Sequence, residues 1–266
     1  VPLEPLDPRR ILKLLGRDAA AIRDRLTVLD EVDSTSRQLL EQASLTAFHG
    51  AVCLAEAQPR GRGRRGRSWV TTPYHNLMLS MGWRFEAAPA ALAGLPLAAG
   101  VALARALDAY GVTGIALKWP NDILWNNRKL AGLLLDLRGE ASGPSAVVLG
   151  VGINGYLAPR EAAVIDQPWV DLRTITGRTV DRNRLAALVI GELRAAVARF
   201  EREGFAPFRD PWQQRHLHQG RKVRLLQDER VFEGVALGVD EHGALMLREG
   251  AGRTRAFHSG DVSLRA

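Results

Sequence analysis

Residues 61 to 67 read Gly-Arg-Gly-Arg-Arg-Gly-Arg, and no hydrophobic core can take such a run. Guanidinium groups keep their charge and are costly to bury unpaired. The interleaved glycines let the backbone approach a ligand closely and enter left-handed geometry. The segment must therefore be solvated or wrapped around an anion, and its planar cationic forks suit phosphate or carboxylate. It is not a Walker A loop, because the Gly-Lys-Ser/Thr ending is missing, nor a dinucleotide fingerprint opening a helix. On the loop alone, a phosphate-bearing ligand and a nucleic acid are equally good readings.

The charge distribution narrows the choice. The formal charge is +7, yet six arginines and no acid lie between Ala57 and Phe85, so the basicity belongs to one segment and not to the whole surface. Of 36 basic residues only Lys13, Lys118, Lys129 and Lys222 are lysine, and two of these fall within Lys118 to Lys129. A chain that otherwise writes arginine points there to a site needing a compact ammonium. The single cysteine, Cys53, excludes an internal disulfide and fits a reducing cytoplasm. The proline-broken, acid-bearing opening shows no secretory signal. Residues 87 to 104 are uncharged, but they are alanine-rich and contain Pro89, Gly94, Pro96 and Gly100, which predicts a buried helix and no membrane span.

Periodicity gives a coarse order of elements. After an exposed lead-in and a short helix around Ile11 to Leu15, strands are predicted at Leu26 to Val32, Ala51 to Ala55 and Asn76 to Phe85. Asp33-Ser34-Thr35 offers helix-capping side chains, and the basic loop occupies Gln58 to Tyr74. A small-residue helix spans Pro89 to Tyr110; strands follow at Ile115 to Trp119, Ile123 to Trp125, Leu130 to Leu137 and Val147 to Val151, with Asn126-Asn127 as a turn. Asp181 to Glu203 is a long amphipathic helix. Beyond Gly220 the runs Val223 to Leu226, Val231 to Val235, Ala244 to Leu247 and Val262 to Leu264, punctuated by Asp228-Glu229 and Glu241-His242-Gly243, read as a small β-barrel. The boundary falls at 218/219, giving domains 1–218 and 219–266.

Three further segments carry chemistry-bearing side chains. Lys118-Trp119-Pro120-Asn121-Asp122 sets an ammonium, an amide and a carboxylate at a strand end, a set able to serve a nucleotide and its magnesium or simply to cap its own turn. Arg128-Lys129-Leu130-Ala131-Gly132 and Gly150-Val151-Gly152-Ile153-Asn154 place glycines inside strands, which signals close approach of a ligand or of another chain segment. Trp69 follows the basic loop closely enough to cap a purine. The six histidines form no metal set, and His216-x-His218 reads as surface.

Together these segments resemble the bacterial biotin protein ligases. The pattern Ser-Thr, then Gln-x-x-Gly-Arg-Gly-Arg-x-Gly-Arg-x-Trp, Lys-Trp-Pro-Asn-Asp, Lys-Leu-Ala-Gly and Gly-x-Gly-Ile-Asn stands in order at Ser34-Thr35, Gln58 to Trp69, Lys118 to Asp122, Lys129 to Gly132 and Gly150 to Asn154. Ser36 departs from the pattern's usual asparagine, and Arg60 adds a charge where small residues are usual. The resemblance implies an α+β fold, a mixed-sheet catalytic domain of the biotin/lipoate ligase type followed by a small SH3-like β-barrel.

The resemblance also implies roles. Ser34, Thr35, Gln58 and Arg64 would line a biotin site shaped by Gly61, Arg62, Gly132 and Gly150. Lys129, with Arg64, would sit between the biotin carboxylate and the α-phosphate of ATP. Arg67, Trp69, Asn121, Asp122, Asn154 and Trp169 would serve the nucleotide. ATP with Mg2+ and biotin are then substrates, with no tightly bound prosthetic group and no metal held by a protein ligand set. The basic loop would order over the adenylate. The expected partner is a biotin carboxyl carrier protein or an equivalent carboxylase domain, with a homodimer as a further expectation. Only about 25 residues precede the first strand, too few for the winged helix of repressing members; the chain is then either a monofunctional ligase or a longer protein trimmed, and no DNA binding is expected from this chain. The alternatives are a lipoate-type ligase and, from another class, a nucleic-acid-binding regulator using the arginine-rich loop.

Overall fold

The computed structural model describes residues 4–44, 46–140, 142–227, 230–258 and 262–265; the Asp228-Glu229 turn and the first three residues of the lead-in lie outside them. Seven strands form one sheet: β1 (Leu26–Glu31), β2 (Val52–Ala57), β3 (Leu77–Phe85), β4 (Ile115–Lys118), β5 (Asp122–Trp125), β6 (Arg128–Gly139) and β7 (Ser145–Ile153). Their order is β1-β2-β3-β7-β6-β5-β4. Only β1 and β2 run parallel, joined by a crossover through helix α2 (Thr35–Glu41); every other neighbour is antiparallel. The sheet is therefore mixed, as expected. Asn126 and Asn127 close the β5–β6 hairpin with φ of +46° and +58°, the sign that a two-residue type I′ turn requires at both positions.

Helices cover one face: α1 (Pro8–Leu15), α3 (Leu95–Tyr110) and α6 (Arg182–Glu203). The uncharged segment does not form one continuous α-helix. Pro89–Leu92 is a 3-10 turn, and α3 starts at Leu95 because Pro96 fits a first turn that needs no N–H from it. This stretch is long and apolar enough to span a bilayer, but it is largely buried inside the protein. Small side chains let it lie close to the sheet: a Cβ on Gly100 would touch Leu117 and Leu133 at 3.7 and 3.9 Å.

Short helices α4 (Pro159–Ala162) and α5 (Leu172–Thr176) follow the sheet, and α7 (Ala206–Gln214) follows α6. Periodicity missed α7 because Pro207 and Pro211 read as breakers, yet Phe208 and Trp212 bury on one side of it. The C-terminal part is antiparallel throughout, β8 (Lys222–Gln227), β9 (Arg230–Val239), β10 (Leu245–Arg248), β11 (Thr254–Phe257) and β12 (Val262–Arg265), in the order β11-β10-β9-β8-β12. The short, charged β11 carried too little apolar signal to be read from sequence.

Two joints hold the parts together. Leu117 N–H donates to Arg215 O (2.8 Å) and Leu217 N–H to Leu117 O (2.9 Å), so residues 215–217 cap the β4 edge; Trp119 Nε1 donates to Gly243 O (3.1 Å). His216 and His218 sit in this joint and are buried, contrary to the surface reading. Each follows β4-pairing backbone into the interior, where sequence alone shows only two polar residues. Burial lowers both imidazoles to about 4. The second joint is the buried pair Arg182–Glu56, 3% and 4% exposed. Glu56 also accepts Leu6 N–H (2.6 Å), and Arg182 donates to Glu4 O (2.7 Å), so the N-terminal segment, β2 and α6 meet at one buried charge pair.

Removing one member of such a pair leaves an uncompensated buried charge. Arg182→Met should cost about 3–5 kcal/mol of unfolding free energy, read from urea denaturation. The imidazoles give a pH signature. Their folded values lie below the unfolded 6.5, so the unfolded state takes up protons first and stability falls as pH drops from 6.5 towards 4. The urea midpoint should fall over this window, and less steeply in His216→Phe; identical slopes would contradict the assignment.

Candidate functional site

The sheet face opposite α3 carries a cavity of about 520 Å3. Its existence follows from missing side chains. Gly132 on β6 and Gly152 on β7 are register partners, and Gly150 pairs with Leu134 two residues along. The Trp69 indole lies on the first pair: a Cβ on Gly152 would come within 2.5 Å of its ring, and one on Gly132 within 3.2 Å. A Cβ on Gly150 would meet Ser36 Oγ at 2.6 Å. The close approach that glycines in strands signalled is made by the protein's own side chains.

A β-bulge then decides which side chains face the cavity. Strict alternation would put Lys129 and Gly132 on opposite faces, but the β5–β6 register slips between Ile123 and Leu124, so Leu124 faces Lys129 while Asp122 faces Gly132. Lys129 thereby turns to the glycine side. Its ammonium lies 2.7 Å from Asp122 Oδ1, both side chains being less than one-fifth exposed, and 5.5 Å from the Trp69 ring centroid.

One end of the cavity is a hydroxyl cluster. Ser34 caps α2 through Arg37 N–H, leaving Thr35 and Ser36 in its first turn. Thr35 Oγ1 and Ser36 Oγ lie 2.7 and 2.9 Å from Ser80 Oγ, and Gln58 Oε1 accepts Thr35 N–H at 2.6 Å. The basic loop forms the lid side. Its neck is a narrow hairpin, with an Arg62–Ser68 bridge, Trp69 N–H to Gly61 O (2.8 Å) and Gly63 N–H to Arg67 O (2.7 Å). Its tip bends through Arg65 at φ +58° and Gly66 at +71°. Arg64 Nη1 reaches Asn121 Oδ1 at 3.5 Å, and Asn121 Nδ2 donates to Leu133 O at 2.6 Å. Among the described residues, Arg62, Arg64, Arg65, Arg67, Lys118 and Lys129 line the cavity against only Asp122 and Asp166 as acids. Such a wall suits an anionic ligand, phosphate or carboxylate.

Of the residues predicted for the site, Ser34, Thr35, Gln58, Arg62, Arg64, Arg67, Trp69, Asn121, Asp122, Lys129, Gly132 and Gly150 all line this one cavity. Gly61 stands just behind it, where a Cβ would strike Trp69 O at 2.9 Å. Asn154 and Trp169 do not reach its wall. Asn154 is buried, and its amide donates to Lys129 O and Val170 O, tying β6 to residues 168–170; Trp169 pairs with Lys129 through its backbone. Sequence reasoning gave no site role to Ser80, Gly152 or the rim residues 166–168. Only the glycine alternation at 150 and 152 carried a signal for any of these.

The chain matches the Biotin/lipoate A/B protein ligase family over residues 28–154 and the Biotin protein ligase C terminal domain over residues 218–265. It is 38% identical over 265 residues to the Bifunctional ligase/repressor BirA of Escherichia coli (strain K12), covering 100% of this chain and 80% of that relative. It is 36% identical over 264 residues to the Biotin--[acetyl-CoA-carboxylase] ligase of Mycobacterium tuberculosis (strain ATCC 25618 / H37Rv), covering 97% and 95%. Among solved structures, the biotin protein ligase from Aquifex aeolicus in complex with biotin and ATP superposes with a TM-score of 0.76 at 26% identity, over 91% of this chain and 98% of that one. Fold and cavity thus define a member of the biotin/lipoate ligase class. Within it, the chain belongs to the biotin protein ligase family.

The seat of Trp69 is testable without any ligand. Gly152→Ala should displace the indole at a cost of about 1–3 kcal/mol in stability and shift tryptophan emission relative to a Trp69→Phe control. Unchanged emission and stability would contradict the packing described.

Proposed function

We infer that this chain is a biotin protein ligase, an enzyme that activates biotin with ATP to biotinyl-5'-AMP and transfers the biotinyl group to a lysine of a carboxylase carrier domain. The observation that carries this reading is the pairing, in one cavity, of an uncharged hydroxyl end with a wall of six cationic side chains. A neutral polar head group suits the Thr35, Ser36, Ser80 and Gln58 end, and the reacting anions suit the arginine–lysine wall.

The chemistry needs charge neutralisation and alignment more than acid–base work. A biotin carboxylate oxygen attacks the α-phosphorus of ATP, and the bond to the departing pyrophosphate breaks. The acceptor amine, after losing a proton, then attacks the acyl carbon and AMP leaves. In this reading Lys129 and Arg64 are the catalytic pair that draws carboxylate and α-phosphate together. Lys129 must exchange Asp122 for these ligands, so Asp122 stores the ammonium in place until substrate arrives. Ser34, Thr35, Gln58, Gly61, Arg62, Gly132 and Gly150 form the biotin side; Arg67, Trp69, Asn121 and Asp122 form the nucleotide side. Asn154 and Trp169 contribute to that side by holding β6 and not by touching ligand. Among the described residues no group of three acids, histidines or cysteines clusters as a metal site. Magnesium would be held by the nucleotide's phosphates with Asp122 as the protein carboxylate, a sharing usual for this ion, and would screen the pyrophosphate charge.

The same reading divides the chain into a catalytic unit, 1–218, and a C-terminal unit, 219–266, whose antiparallel strands we take as an SH3-like barrel. It assigns a carboxylase carrier domain as partner, a homodimer as the assembly and the cytoplasm as the compartment. Biotin-dependent pyrophosphate exchange, with lipoate as control, tests the function: exchange with biotin alone is expected, and none with either acid would overturn it. Lys129→Ala should lower exchange by at least about 100-fold with the fold intact; wild-type exchange would remove Lys129 from its role.

A further inference from the structure

Asp136 is an acid that the mechanism does not use. It lies on β6 on the same face as Leu134, whose register partner is Gly150, and is itself opposite Val148, a residue of the apolar cluster under α2. Its Oδ2 is buried with no hydrogen-bond partner, and the residue does not line the cavity. Burial raises its pKa, and the one charge that opposes this is Arg62. The Arg62 guanidinium stands 3.8 Å away, half-exposed against a quarter for Asp136. Arg62 belongs both to the cavity wall and to the hairpin neck that sets Trp69, through its bridge to Ser68.

A half-desolvated carboxylate on a sheet face is a cost without local return, and a loose pair with an exposed partner adds little stability. What it fixes is geometry. The neck holds the Arg62 backbone through its bridge to Ser68, and Asp136 draws its side chain toward β6. Without that anchor the guanidinium is free to swing into solvent, and the loop loses its only ion pair to β6 among the described residues.

We propose that Asp136 is a positioning residue for the basic loop, holding Arg62 across the hydroxyl end of the cavity and so setting the affinity for biotin without touching it. The inference rests on the ligase reading, and the test separates the two. Steady-state biotin-dependent pyrophosphate exchange is measured for wild type, Asp136→Asn, Asp136→Glu, Arg62→Gln and the Arg62→Gln/Asp136→Asn double variant, with urea unfolding of each. Asp136→Asn should raise the KM for biotin about tenfold at nearly unchanged kcat. Asp136→Glu should recover most of it, and the double variant should match Arg62→Gln alone, because the two residues act as one unit. A wild-type KM in Asp136→Asn, or additive effects in the double variant, would overturn the proposal while leaving the ligase reading intact. Absence of exchange in the wild type would instead remove the ligase reading itself. Should Asp136→Asn unfold, the comparison of Asp136→Glu with Arg62→Gln carries the test: an Asp136→Glu KM shifted as far as that of Arg62→Gln would count against it.

Discussion

A cavity on the face of a β-sheet exists only where side chains are given up, and here the space is made by the register pair Gly132–Gly152 and by Gly150 beside it. Everything else at the site is built on that vacancy. Trp69 rests against the glycine pair, its ring sets one wall, and Lys129 approaches that ring with its ammonium held by Asp122. A methyl group at 152 would meet the indole at less than contact distance, so the floor, the wall and the seat of Lys129 share one steric condition.

The electrostatics are arranged around the same space. Six cationic side chains face two acids across the cavity, a surplus that a polyanionic substrate neutralises on binding. The loop that carries four of these cations is not loose at its base. Its neck is hydrogen-bonded as a hairpin, and its tip departs from ordinary backbone, with Arg65 in the left-handed region. A firm neck with a bent cationic tip is suited to closing over an anion that must be shielded from water.

The site is also braced from a distance. Glu56, two residues before Gln58 on the β2 side of the cavity, is locked to Arg182 of α6 and to the backbone of the N-terminal segment. On the opposite edge Trp119, beside the Lys118 and Asn121 of the cavity wall, is tied to Gly243 of the C-terminal sheet. Both flanks of the catalytic sheet are thus anchored by residues more than a hundred positions away.

The sequence by itself determined the chemistry on offer and most of the elements. The arginine–glycine loop could not enter a core, the glycine-bearing strands announced close approach, and the apolar periodicities located the sheet strands and the long helix; Asn126-Asn127 specified its turn because few other pairs accept two positive φ angles. Twelve of the expected site residues meet in one cavity for that reason. What only the tertiary structure decided was orientation and pairing. The bulge that turns Lys129 toward Gly132 depends on how β5 registers against β6, and no local pattern encodes a slip of one residue. His216 and His218 are buried because the segment carrying them caps a sheet edge, a role set by a partner strand about a hundred residues earlier. Asn154 is withdrawn into backbone support, and Asp136 is matched to Arg62, because burial and charge pairing are properties of the assembled layers. Local sequence fixes what a side chain can do; the packing of distant strands fixes which way it faces and what it meets.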